Sequence, residues 1–339
     1  FKQKTAYEIM PSLVGSEMCI RDSLLLSACS GNDDSAEIAG SLMVGGANGN
    51  ELAEAQVLRR GNGAEPQSLD PHRAEGVPSG NIQRDLFEGL TIEAPNGDVI
   101  PGAAESWRIS EDGRIYVFQL RANARWSNGD PVTAHDFVYS FRRSLDPKTL
   151  SRYTFILAPI LNAEAVASGA MPPAELGVRA LDDYRLEIEL RSVTPYFLGV
   201  LNHSASYPVH RGSVEAHGDR WTRPGNLISN GAYLLVERLP ESHIKIVRNL
   251  YYWDNDTTVI DEVWYYPTED SASELRRYRA GELELTSTVP SKQIGWAREN
   301  LPDQLVIAPY LGTYYYGINL TKPPFAGNPA LRRDLELDI

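Results

Sequence analysis

The chain has 339 residues, and 32 Lys+Arg against 45 Asp+Glu give a formal charge of −13, a length that fits two or three domains with real hydrophobic cores. Hydrophobic content of 42% and charged content of 23%, without a long apolar run, exclude a polytopic membrane protein. The acidic excess argues against nucleic-acid binding, and two cysteines, Cys19 and Cys29, leave the body with no disulfide framework and no thiol nucleophile.

In chain order, Leu24-Leu-Leu-Ser-Ala-Cys29 resembles a bacterial lipobox, which would make Cys29 the lipidation site. The polar run that follows, Ser30 to Ser35, reads as a tether. A signal peptide needs an apolar stretch of about 7–15 residues, and only three leucines stand here. Residues 1–23 resemble translated sequencing-adapter read-through joined to a truncated signal, with a native leader as the other reading. Residues 1–43 are therefore set apart as non-native or signal/lipobox leader and linker.

The body opens with a strand pattern at Ala55–Arg59. Asn96-Gly97 signals a turn between Ile92 and Val99. Ile115–Leu120 has strand composition and the apolarity of a strand buried on both faces. Thr133 is placed to cap a helix carrying Phe137 and Phe141 one turn apart, which must stop before Asp146-Pro147. Arg185–Leu190 alternates, with Leu186, Ile188 and Leu190 on one face and charges on the other. Ile244–Arg248 and Val263–Tyr266 are further strands. Ser271-Ala-Ser-Glu274 fits a capping box, and Gly281 is a C-terminal stop. Strands and helices intermix without a strict βαβ period, which predicts mixed α/β structure in more than one lobe.

Motifs for chemistry are missing. The sequence has no G-x-S-x-G, H-E-x-x-H, Walker loop or G-x-G-x-x-G. His203, His210 and His217 are seven apart, but Pro208 and Gly212 interrupt the segment, so they read as scattered residues and no metal site is expected. The acidic pairs Asp182-Asp183 and Glu269-Asp270 sit beside turn or cap signals. Seventeen tyrosines outnumber eight phenylalanines, a bias that suits a surface holding a varied partner. The densest aromatic runs are Tyr251-Tyr-Trp253, Trp264-Tyr-Tyr266 and Tyr314-Tyr-Tyr316, and strand alternation turns part of each run into packing.

An ordered set of blocks then stands out. These are Glu65-Pro-Gln-Ser-Leu-Asp-Pro-His72, Glu75-Gly-Val-Pro78, Asn81–Leu90, Pro101–Trp107 and Arg125-Trp-Ser-Asn-Gly-Asp-Pro-Val-Thr-Ala-His-Asp-Phe-Val-Tyr139. Later come Asn230-Gly-Ala-Tyr233, Arg248–Trp253, Arg277–Glu282 and Pro309–Asn319. From about residue 55 onward the chain resembles the peptide-binding class of the bacterial extracellular solute-binding proteins of ABC importers, family 5.

The resemblance implies an α/β, two-lobe periplasmic-binding-protein fold that closes over its ligand. Lobe one would comprise 44–87 plus 211–311, with an inserted β-rich subdomain at 88–210. Residues 312–339 would be the start of lobe two, which is mostly missing because family members continue well beyond Ile339. The implied function is capture of oligopeptides and delivery to an ABC permease in the inner membrane, with no cofactor and no catalysis. The protein would be a monomer on the periplasmic side, with a lipid anchor at Cys29. Another solute (dipeptide, murein peptide, nickel complex or haem) is the alternative within the class, and an extracellular hydrolase the alternative outside it. Carried over by position, Glu75, Gly76 and Val77 would line the peptide backbone, with Glu75 also suited to a ligand cation. Tyr153, His203 and Tyr315 would supply contacts around it. Thr286-Ser-Thr288 replaces an Asx-rich stretch of relatives, and hydroxyls have shorter reach than amides.

Overall fold

The structure, a computed structural model, describes residues 52–308 and 317–338. The chain divides into two compact units, with described residues 52–305 in one, and 306–308 with 317–338 in the other. The strands are β1 (Val57–Gly61), β2 (Thr91–Glu93), β3 (Val99–Pro101), β4 (Ala104–Ile109), β5 (Ile115–Leu120), β6 (Val178–Ala180), β7 (Arg185–Glu189), β8 (Tyr233–Leu239), β9 (His243–Arg248) and β10 (Glu262–Tyr266). The helices are α1 (Val77–Leu86), α2 (Ala134–Leu145), α3 (Ala163–Ala167), α4 (Phe197–Val200), α5 (Arg211–His217), α6 (Ser271–Arg279), α7 (Ile294–Asn300) and α8 (Pro329–Asp338). The mixed α/β class expected from the sequence is what the chain forms.

Two hydrophobic cores organise the larger unit. One grows on the sheet β1-β10-β9-β8, in which β1 runs parallel to β10 and the other pairs are antiparallel. Leu58, Ile82, Leu86, Ile244, Ile246, Val263 and Tyr265 meet there, with Trp221 and Val209 closing it. The other core grows on the antiparallel sheet β4-β5-β7-β6 and draws in α2 through Phe137 and Phe141. The small hairpin β2–β3 turns through Gly97 at φ 87°, the left-handed geometry that Asn-Gly supplies.

Several local expectations hold with one-residue adjustments. α2 starts after Thr133, where the Asp136 carboxylate accepts from the Thr133 N–H at 2.8 Å and from its hydroxyl at 2.9 Å. It ends at Leu145, before Asp146-Pro147. On β7, Leu186 and Ile188 face the core, while Glu187 on the other face pairs with Arg179 of β6 at 2.6 Å.

Two expectations are corrected. β5 is not buried on both faces: Tyr116, Phe118 and Leu120 are buried, whereas Ile115, Val117 and Gln119 are half-buried. An antiparallel sheet can leave one face wet. At α6 the cap is Asp270, which accepts from Ser273 N–H at 2.7 Å. Glu274 does not reach back in a capping box; it is fully buried and binds Ser287. Gly281 does end α6: its N–H donates to Tyr278 O, and Glu282 N–H donates to Arg277 O, forming a Schellman motif.

In the smaller unit, bends and turns over 320–327 lead to α8. The Asn328 side chain accepts from Leu331 N–H at 3.1 Å and Pro329 opens the helix, both start signals.

Candidate functional site

The segment Asp70–Gly76 leads into α1 and meets the segment Thr149–Phe155. Asp70 comes first. Pro71 biases it away from helix, and its carbonyl accepts from Arg73 and Ala74 N–H, closing a turn. Its carboxylate is buried and takes both terminal nitrogens of Arg143 on α2, at 3.0 and 2.6 Å. Trp221 Nε1–H donates to the same carboxylate at 3.2 Å. Burial alone would raise the Asp70 carboxyl, but the Arg143 bonds and charge outweigh it and hold the group below its usual range.

His72 completes this anchor. Its Nε2 faces the Tyr207 carbonyl at 3.0 Å and so carries the proton, leaving Nδ1 to accept from Arg143 at 2.7 Å. Burial, then the Arg143 charge, lower its pKa to about 4, so the ring is neutral near pH 7. This network ties the turn at 70–72 to a helix of the other core.

In front of the anchor stand the residues singled out in the sequence. Gly76 caps α1 at φ 81°, ψ 163°, with no side-chain cap on the helix, a conformation that favours glycine. Glu75 forms an ion pair with Arg152 Nε at 3.1 Å. Arg73 Nε–H donates to Thr149 O at 2.9 Å, fastening the two segments together. The Tyr153 hydroxyl lies 3.5 Å from Gly76 N. Its ring meets His203 edge-on, with centroids 4.8 Å apart, and Phe155 at 6.0 Å. His203 Nδ1 accepts from Ala205 N–H at 3.1 Å, so Nε2 holds its proton. Burial and then the Arg84 charge lower its pKa to about 4.

Glu75, Gly76, Tyr153 and His203 therefore come together, and Val77 follows them as the exposed first residue of α1. Tyr315 and Cys29 lie outside the described residues. Sequence reasoning missed Arg152 and Phe155. Tyr153 caps the 3₁₀ turn Thr154–Leu157, and nothing local marks Phe155 as its ring neighbour or Arg152 as the partner of Glu75. Ser287, in the segment set against the relatives' Asx-rich stretch, directs its hydroxyl to Glu274 Oε2 at 2.9 Å, behind β1.

The remaining blocks are largely scaffold. The Asn230 side chain accepts from Glu88 N–H at 3.1 Å and donates to Glu88 O at 2.9 Å, acting as a strand neighbour would. The Glu88 carboxylate is buried; it accepts from the Tyr252 hydroxyl and, at 2.8 Å, from Trp253 Nε1–H. Arg121 lies 3.6 Å from the Trp253 ring centroid. Of Trp264-Tyr-Tyr266, Tyr265 enters the core and binds Asp85, while Trp264 and Tyr266 stack on the opposite face beneath Lys245 and Arg277. Asp182 and Asp270 are spent on a turn and a cap. Among the described residues no group of three His, Cys, Asp or Glu side chains is placed to hold a metal ion. What the site offers is an exposed turn of main chain, aromatic edges, and an acid already paired with a cation.

Residues 98–337 match the family model described as bacterial extracellular solute-binding proteins, family 5 Middle. The chain is 44% identical over 294 residues to the periplasmic oligopeptide-binding protein OppA of Escherichia coli K12, covering 85% of this chain and 54% of that protein. It is also 44% identical over 280 residues to the periplasmic murein peptide-binding protein MppA of the same organism, covering 82% and 52%. The crystal structure of Haemophilus influenzae OppA in complex with the peptide RPPGFSPFR superposes with a TM-score of 0.78 at 40% identity, covering 81% of this chain and 54% of that one. The chain thus spans about half the length of the relatives it matches.

Proposed function

The chain belongs to the bacterial extracellular solute-binding proteins of family 5, and from that membership we propose that it is part of the capture component of an ABC importer. Its ligands are oligopeptides, taken up on the periplasmic side and handed to a permease in the inner membrane. Binding is the whole of its role, with no bond of the ligand made or broken. Among the described residues no helix is long and apolar enough to cross a membrane, and attachment in this reading is through a lipid on Cys29.

The observation that carries the proposal is the meeting of the Glu75–Val77 turn with Tyr153 and His203, in a chain 40–44% identical to peptide binders. Glu75, Gly76 and Val77 offer main chain to the peptide and Tyr153 and His203 border its side chains, with Tyr315, outside the described residues, as the further contact in this reading. Recognition through main-chain pairing yields affinity without reading sequence. Residues 44–87 with 211–311 form the first lobe in this reading, 88–210 the inserted subdomain and 312–339 the opening of the second lobe. The separation of the two cores near Phe87 and Leu90 supports the inner boundary. A murein peptide is the second reading, favoured by the equal identity to MppA.

Titration calorimetry on the full-length protein tests the proposal. Side-chain replacement in the peptide should change affinity little, because water rearranges in a roomy pocket. N-methylation of a paired backbone amide should cost about 1–3 kcal/mol. Tyr153→Ala should weaken many peptides to a similar degree. Affinity that varies by orders of magnitude with one side chain, yet ignores N-methylation, would refute main-chain capture. Product release from a peptide library would refute capture without chemistry.

A further inference from the structure

Beside the turn that this reading assigns to the peptide backbone stands a cation the sequence motifs do not include. Arg152 is three-quarters exposed, and its closest approach to Glu75 is through Nε, at 3.1 Å. Apart from Glu75 it has no hydrogen-bond or ion-pair partner among the described residues. The next residue is Tyr153, whose ring packs on His203 and whose hydroxyl reaches toward Gly76. Arg152 therefore stands at the rim of the same site.

The geometry of the guanidinium decides what this arrangement can do. Its five N–H groups form a planar fork with more than one bidentate edge. Glu75 approaches most closely on the Nε side, and no other residue among those described pairs with the end-on edge, Nη1 with Nη2, where a second carboxylate can bind. Glu75 thus orients the fork and its own charge is offset. The other charges near by are cationic or paired: Arg84 acts on His203, and Arg73 is bound to Asp219 at 2.7 Å. The rim therefore offers a guanidinium edge beside Glu75, a contact that Glu75 alone does not suggest.

Resting on the peptide-capture reading, we infer that Arg152 is a specificity-determining residue that receives a carboxylate of the bound peptide on its Nη1–Nη2 edge. The carboxylate comes from an acidic side chain or from the peptide C-terminus. An exposed pair of this kind exchanges partners at small cost, so the selection is a graded preference among peptides.

The test is titration calorimetry on the full-length protein at low ionic strength, with alanine tripeptides and tetrapeptides as probes. The set includes free and amidated C-termini, and Glu or its neutral isostere Gln at each position. At least one carboxylate-to-amide exchange should weaken binding to the wild type about three- to tenfold. Arg152→Gln should bring that ratio close to one, whatever the change in binding common to all the probes. Whether the amidated terminus or a Gln probe shows the loss identifies the source of the carboxylate. If no exchange weakens the wild type, or if Arg152→Gln shows the same loss, the inference is overturned. Failure of every alanine probe to bind the wild type is a different result: it overturns the peptide reading, and the role of Arg152 falls with it.

Discussion

Two buried acids in this protein resolve the cost of burial in opposite ways. Asp70 is ionised and paired with Arg143, so removal of the cation strands a buried charge. Arg143→Ala should destabilise the full-length protein by about 3–5 kcal/mol, read from urea unfolding; a loss below about 1 kcal/mol would place the pair with surface ion pairs. Glu88 has only neutral partners in direct contact, Tyr252 and Trp253. Burial, the largest influence, raises its pKa from 4.5 to about 7 against the lowering effects of those bonds and of Arg121. A carboxyl raised on folding contributes stability that is fully present below pH 4.5 and lost as pH rises through about 7. Glu88→Gln keeps one acceptor and one donor, as the protonated acid does. The wild type should therefore lose stability relative to Glu88→Gln between pH 4 and pH 8, by on the order of 3 kcal/mol. Parallel stability curves for the two proteins would count against a raised Glu88. His72 has the opposite sign. Its pKa is depressed from 6.5 to about 4, chiefly by burial, so the stability it contributes is present above pH 6.5 and lost as pH falls through about 4.

Elements meet at positions where a side chain would not fit. Gly231, within the Asn230-Gly-Ala-Tyr233 block, packs on the end of α1. A Cβ there would lie 2.7 Å from Asp85 O and Leu86 C and 2.8 Å from Phe87 N. All three are backbone atoms that cannot rotate away. Gly231→Ala should push α1 off the sheet β1-β10-β9-β8 and cost more than about 2 kcal/mol, in the range of overpacked cores. Gly80, on the same helix, has nothing within 4 Å of its Cβ direction, so Gly80→Ala should be neutral or stabilising by up to about 1 kcal/mol. Thermal unfolding of the two variants makes the comparison; equal effects would mean that helix propensity, not the contact, governs this region.

At the scale of the molecule, the two sheets set a gradient of protection. β5 and β7 lie inside one sheet, β9 and β10 inside the other, and all four are paired on both sides. The β2–β3 hairpin has two strands of three residues each, and an isolated pair of this length is marginal. Amide hydrogen exchange should therefore be slowest in Phe118, Leu186, Ile246 and Val263 and fast through the Ala94–Asp98 turn. Since local opening free energies follow buried contacts, protection of the hairpin equal to that of β7 would show that another part of the protein covers it.

Local spacing was enough to find what local chemistry decides. The 2-residue alternation of Arg185–Leu190 placed Leu186 and Ile188 inside, the Thr133–Asp136 and Asp146-Pro147 signals bounded α2, and Asn96-Gly97 made its turn. The order of the blocks from Glu65 to Asn319 disclosed the family, because glycines, capped turns and core positions recur together. Tertiary structure alone decided the partners. Nothing near Ser271 told that Glu274 would turn inward to Ser287 behind β1, leaving the cap to Asp270. The bonds of Asp70 to Arg143, Glu88 to Tyr252, and Glu75 to Arg152 each span tens of residues. The physical reason is that a side chain's face follows from backbone period, which is local, whereas the partner of a buried or rim charge depends on which distant segments the two cores bring within a few ångström.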